Sequence, residues 1–229
     1  RVRACDIERR DADYDIKAGI EPLAESLKSK ELALLSVGAF TPGAGALSVI
    51  GNAGKSVAGA AGETSGVAKD RGLPALVMAD GPAGLRLSRH YYIGKDGPVS
   101  LDGVLPEGMT ELLSPAEQKI LNAVSPDRMP EGAEVFEQFA TAIPIGTAIA
   151  QSWNTALAEA LGDMVGCEME RFGVDLWLAP ALNIHRSILC GRNFEYYSED
   201  PLISGKMAAA ITCGVQKQIG RASCRKECR

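Results

Sequence analysis

The stretch Asn154–Leu182, NTALAEALGDMVGCEMERFGVDLWLAPAL, decides the fold class. Its first part reads as an amphipathic helix. Asn154 or Thr155 can cap it, Leu157, Leu161, Met164, Val165 and Met169 fall on one face, and Gly173 stops it. Its second part, Val174–Leu182, is apolar without alternation, which is how a strand buried on both faces reads. A helix followed by such a strand is the unit of a parallel sheet covered by helices.

The pattern continues on both sides. Downstream, CGRNFEYYSEDP (Cys190–Pro201) is a charged, aromatic loop, and PLISGKMAAAITCGVQK (Pro201–Lys217) is a further helix with its proline in the first turn. Upstream, LPALVMADGP (Leu73–Pro82) and FATAIPIG (Phe139–Gly146) read as two more buried strands. Between them, Pro98–Gly132 is proline-rich and acidic and reads as an insertion, with one helix near Pro115–Ala123. Asp15–Val37 reads as one helix stopped by Gly38. Strand, loop and helix thus recur about three times, too few to close an eight-stranded barrel. No second sheet is expected.

Composition sets limits. The 229 residues are 46% hydrophobic and 23% charged, an ordinary globular profile. The net charge of −5 argues against a nucleic-acid surface, and no apolar run is long enough to span a bilayer. RVRACDIERR, at the start, lacks a signal-peptide pattern and an initiating Met, so the chain is expected to be a truncated, cytoplasmic protein. Six cysteines form no C-x-x-C pair and no ligand set with the two histidines; most are expected to be reduced core residues, with no metal or cofactor. IGRASCRKECR (Ile219–Arg229) resembles a translated sequencing adapter and is read as a non-native tail, a natural basic tail being the alternative. It carries four cations and one anion, so the rest of the chain has a net charge of −8. GNAGKS (Gly51–Ser56) falls short of a phosphate-binding loop, because Val49 stands where the first glycine is required.

The charged residues cluster after strands, where functional loops of parallel sheets lie. Asp80, pinned by Gly81 and Pro82, can accept hydroxyl hydrogen bonds or merely cap a turn. Arg86 and Arg192 offer forked donors to vicinal hydroxyls, or salt bridges to carboxylates such as Glu195. His185 reads as a brace or a base, Trp177 as core, and Trp153, Phe194, Tyr196 and Tyr197 as core or stacking rings.

MADGPAGLRL (78–87), ATAIPIGTAIAQSWN (140–154), EMERFGVDLWLAPALNIHRS (168–187) and CGRNFEYYSEDP together resemble the first domain of family 3 glycoside hydrolases of the β-glucosidase kind; GAAGETS (59–65) adds to the likeness. The resemblance covers about Leu73–Gln218. It implies an α/β fold, a partial (β/α)8-type barrel holding roughly the first three strand–helix units. The expected division is 1–72 as a helical and glycine-rich lead-in, 73–218 as partial barrel and 219–229 as tail. It implies a retaining β-glycosidase acting on a β-linked glucoside or oligosaccharide. Asp80, Arg86 and Arg192 would hold sugar hydroxyls, with Glu195 and His185 supporting them. The nucleophile and the acid/base are expected outside this chain, so the chain alone is expected to be inactive. The alternative is a non-catalytic carbohydrate-binding relative.

Overall fold

The computed structural model describes residues 17–39, 55–102, 112–124 and 129–219. The N-terminal RVRACDIERR, most of the glycine-rich stretch, three of the six cysteines and the adapter-like tail beyond Ile219 lie outside the described residues.

The expected first helix is two, α1 (Lys17–Ser26) and α2 (Ser29–Val37). The break is at Lys28, whose backbone is extended at φ −76° and ψ 154°. Glu31 causes it: its carboxylate accepts the Lys28 amide at 2.7 Å, starting a new helix there. The same carboxylate grips Arg71 at 2.5 Å, tying α2 to the segment before the sheet. Gly38, at φ 80°, ends α2.

Three short strands make the sheet that organises the molecule: β1 (Gly62–Glu63), β2 (Val77–Ala79) and, far along the chain, β6 (Leu176–Trp177). β1 is antiparallel to β2, and β2 is parallel to β6, with Met78 opposite Leu176 and Ala79 opposite Trp177. The Asp175 carboxylate accepts the Val77 amide at 2.8 Å and fixes that register. The sheet is therefore mixed, not purely parallel, and Phe139–Gly146 is not a strand of it. The donors of that segment are used elsewhere. The Thr141 amide goes to the Glu168 carboxylate and the Ile143 amide to the Ala83 carbonyl.

A second sheet, which the sequence reading did not expect, brackets the insertion. β3 (His90–Gly94) lies between β4 (Gly97–Ser100) and β5 (Val135–Glu137), all antiparallel. Tyr91 stacks on Phe136 across the β3–β5 pair, with ring centroids 5.6 Å apart. Between β4 and β5 comes α3 (Pro115–Val124), where a helix was expected.

The remaining helices are α4 (Gly146–Gln151), α5 (Thr155–Phe172) and α6 (Pro201–Ile219). Gln151–Asn154 therefore links two helices rather than following a strand. Asn154 caps α5 by accepting the Leu157 amide, and Gly173 ends it in the left-handed region at φ 72°. The buried face of α5 is Ala158, Gly162, Val165, Gly166 and Met169; Leu157 is exposed. The stripe is displaced toward small residues because α6 comes very close. A Cβ at Gly162 would collide with the Ile211 carbonyl, and one at Gly214 with the Glu159 carbonyl. Lys217 pairs with Glu159 at 2.5 Å at the solvent margin of this contact. The core gathers Ala79, Leu85, Ile149, Val165, Met169, Trp177, Met207 and Ile211 between sheet and helices.

Cys167, Cys190 and Cys213 are free but exposed, which corrects the expectation of core cysteines. All three lie on the outer sides of helices or in the surface loop. Among the described residues no helix is long and apolar enough to cross a membrane.

Candidate functional site

The site begins where β2 ends. Asp80 follows Ala79 and pairs with Arg86 in a single antiparallel bridge, the Arg86 amide reaching the Asp80 carbonyl at 2.8 Å. Between them the chain turns sharply through Gly81 and Gly84, at φ 114° and 113°, where a side chain would be strained and would strike backbone. Trp177, in the neighbouring β6, is buried as expected and also donates its indole N–H to the Gly81 carbonyl at 2.9 Å. The turn is thus fixed from the sheet, with both side chains left over. Among the described residues neither the Asp80 carboxylate nor the Arg86 guanidinium makes a hydrogen bond or ion pair with another side chain. Asp80 therefore does not serve as a turn cap.

The Cys190–Pro201 loop is held by its own backbone. A single 3₁₀ turn spans Asn193–Glu195. Its carbonyls are gathered from two sides: His185 Nε2 donates to Asn193 O at 2.8 Å and lies 3.2 Å from Tyr196 O. Thr147 Oγ1, on α4, lies 2.9 Å from Tyr196 O and 3.1 Å from Asn193 O. Gly146 lets α4 press against the Glu195 backbone. Tyr196 and Tyr197 are buried, and burial pushes the Tyr197 phenol well above its ordinary pKa. Asp200 closes the loop by accepting the Leu202 amide at 2.7 Å, which starts α6.

Arg192 leaves this frame into solvent, its side chain 71% exposed, and pairs through Nε with the buried Glu195 carboxylate. That hydrogen bond raises the guanidinium's already high pKa; the Asp80 carboxylate pushes weakly in the same direction. Asp80 and Arg192 are thus electrostatic neighbours, though they come from different strand ends.

A cleft of about 560 Å³ opens here, lined by Asp80, Arg86, Glu195, Phe194 and residues from Arg89 and Gln138–Ala142, among others. The structure brings Asp80, Arg86 and Glu195 to one wall and attaches Arg192 to it through Glu195. His185 sits beneath the loop as a brace and does not line the cleft. Arg89, Gln138 and Phe139 were not singled out by sequence, whereas Phe194 was read as a core or stacking ring. The signal that could have found the first three is HYYIGKDGPVS, whose Asp-Gly between two strand-forming runs marks the β3–β4 hairpin beside them. In GNAGKS, the Lys55 and Ser56 amides both donate to the Glu63 carboxylate at 2.9 Å. Those two donors are therefore occupied, while Gly51–Gly54 lie outside the described residues.

Residues 112–226 match the model of the glycosyl hydrolase family 3 N terminal domain. The chain belongs to glycosyl hydrolase family 3. Among curated family 3-like relatives, beta-glucosidase A of Butyrivibrio fibrisolvens is 51% identical over 76 residues, which is 33% of this chain and 9% of that protein. Thermostable beta-glucosidase B of Acetivibrio thermocellus is 35% identical over 155 residues, covering 68% of this chain and 16% of that protein. The solved structure of beta-glucosidase 3B from Thermotoga neapolitana in complex with alpha-D-glucose aligns with a TM-score of 0.59 and 38% identity, over 87% of this chain and 22% of that one. The family 3 chain described here thus spans a small part of the length of the relatives it matches.

Proposed function

We propose that this chain is part of a retaining β-glycosidase of the β-glucosidase kind, and that residues 73–218 are a portion of its (β/α)8-type barrel. The cleft supplies part of the sugar-binding subsite. Asp80 accepts hydroxyl hydrogen bonds, while Arg86 and Arg192 donate to hydroxyl oxygens. Glu195 and His185 position Arg192, the first by charge and the second by holding the loop backbone. One observation carries this reading. Beyond the carboxyl ends of the parallel β2–β6 pair, the Asp80 carboxylate and the Arg86 guanidinium, neither bonded to another side chain among the described residues, line one cleft with Glu195, the partner of Arg192. The relatives named as beta-glucosidases, one of them solved with glucose, supply the substrate class.

Retaining hydrolysis needs a nucleophilic carboxylate and an acid/base about 5–5.5 Å apart. We assign neither to this chain, and the chain alone is expected to hydrolyse nothing. The test is made in the full-length protein with Asp80→Asn and Arg192→Lys. An amide accepts more weakly than a carboxylate, and an ammonium cannot reproduce the planar fork. Each variant is expected to lose about 30- to 1,000-fold in kcat/KM on an aryl β-glucoside, with circular dichroism unchanged. Activity near wild type in both would remove these residues from the site. Glucose binding by a full-length protein that hydrolyses no glucoside would favour a carbohydrate-binding relative instead.

A further inference from the structure

Glu168 is a half-buried carboxylate of α5 that does not line the cleft, yet it holds the strip of chain against which the Asp80 turn rests. Its Oε1 accepts the Thr141 hydroxyl at 2.5 Å and the Thr141 amide at 3.0 Å, and its Oε2 lies 3.1 Å from the same amide. One carboxylate thus takes both donors of a single residue. Thr141 is also the residue that meets the turn. A Cβ at Gly84 would strike the Thr141 carbonyl, and two residues on, Ile143 donates its amide to the Ala83 carbonyl at 2.9 Å. The turn's other glycine is held from β6, where Trp177 donates to the Gly81 carbonyl at 2.9 Å. Only three residues separate α5 from β6, so both grips on the turn come from one helix–strand unit.

The turn needs such grips. Gly81 and Gly84 both sit at positive φ, a region that glycine enters freely and leaves as freely, so the stiffness of the turn comes from what is packed and bonded around it. Trp177 secures one end. The other end is secured by Thr141, and Thr141 by Glu168. We infer that Glu168 is a positioning residue for the sugar site: by fixing Thr141 it fixes Gly84, and so the direction in which the Asp80 carboxylate points. A hydrogen-bonding group must be held within a fraction of an ångström to act at full strength, and a support well outside the cleft can therefore set its performance. This rests on the reading of Asp80 as an acceptor of sugar hydroxyls.

The test is made in the full-length protein. It compares Glu168→Ala, Glu168→Gln and Glu168→Asp, each alone and combined with Asp80→Asn, by kcat/KM on an aryl β-glucoside, inhibition by glucose and thermal midpoint. Glu168→Ala is expected to lose about 3- to 10-fold in kcat/KM and to weaken glucose inhibition by a similar factor. Glu168→Gln keeps an oxygen for both Thr141 donors and recovers most of the loss. Glu168→Asp keeps the charge but falls one methylene short, so it loses more than glutamine does; these two variants decide the matter if alanine prevents folding. In the Asp80→Asn background Glu168→Ala costs less than about twofold, because the carboxylate it aims is gone. Equal losses in both backgrounds, or a lowered midpoint with unchanged kinetics, would make Glu168 structural and overturn the inference while leaving the sugar site standing. An Asp80→Asn protein as active as wild type would overturn both.

Discussion

Arg192 is exposed while its partner Glu195 is buried, and that asymmetry determines what each substitution does. Glu195 is only 7% exposed and pairs with the guanidinium, so its charge is committed to aiming it. Glu195→Gln keeps the shape and removes the charge. It is expected to lower kcat/KM by about tenfold in the full-length protein, with little change in thermal midpoint, because a charge-assisted bond becomes a neutral one. Loss of folding instead would make Glu195 a structural residue. The sequence made the Arg192–Glu195 pair legible because the partners are one helical turn apart in a loop between two recognisable elements. The same was true of Asp80 and Arg86, flanking a Gly-rich turn. Phe139 was not legible in that way. It stood inside an apolar run, and nothing local says that the run leaves the sheet once Thr141 and Ile143 give their amides to Glu168 and Ala83.

At the scale of elements, α5 and α6 make the tightest contact, and glycine makes it possible. Gly214→Ala places a methyl against the Glu159 carbonyl, so steric cost exceeds the helix-propensity gain; it is expected to destabilise by about 1–3 kcal/mol. Gly205→Ala, on the same helix with open space around it, is expected to stabilise by about 0.5–1 kcal/mol. Thermal midpoints of the pair separate packing from propensity, and equal shifts would contradict the close approach. α3 offers a titration test. Ser114 bonds to the Glu117 carboxylate through hydroxyl and amide, at 2.6 and 2.9 Å, holding its pKa below the ordinary 4.5. The bonded carboxylate therefore supports the first turn of α3 above that range and releases it as pH falls through the lowered value. Ser114→Ala is expected to move the Glu117 carbon-13 titration midpoint upward. Helices with caps and periodic faces were legible, α5 and α6 most of all. The displaced buried stripe of α5 was not, since periodicity locates large apolar residues and this interface is made of small ones. The second sheet was hidden because its short strands bracket a proline-rich, acidic insertion, although its hairpin turn was written plainly.

Over the whole molecule, the organising sheet has three strands, and among the described residues β6 pairs on one side only. Near that edge Leu176, Leu178 and Leu182 are exposed, and the loop tip puts Ile188 and Leu189 almost wholly into water, at 95% and 89%. An open edge flanked by apolar side chains invites self-association. The chain expressed by itself is expected to elute as large species in size-exclusion chromatography with light scattering. Replacing Ile188 and Leu189 by lysine is expected to shift it toward monomer; a sharp monomer peak in the unmodified chain would refute this. The glycine contact of α5 with α6 has a consequence on this scale too. α5 leads into β6, and α6 leaves the Arg192 loop, so locking the helices together fixes both abutments of the arch from Gly173 to Asp200. An arch with fixed footings can be lengthened at its crown, around Ile188, at a cost that grows only slowly with length. Sliding α6 along α5 by a single residue would instead move one footing and carry Arg192 with it. The loop can vary where it bulges, because its two ends are set by helices that do not line the cleft.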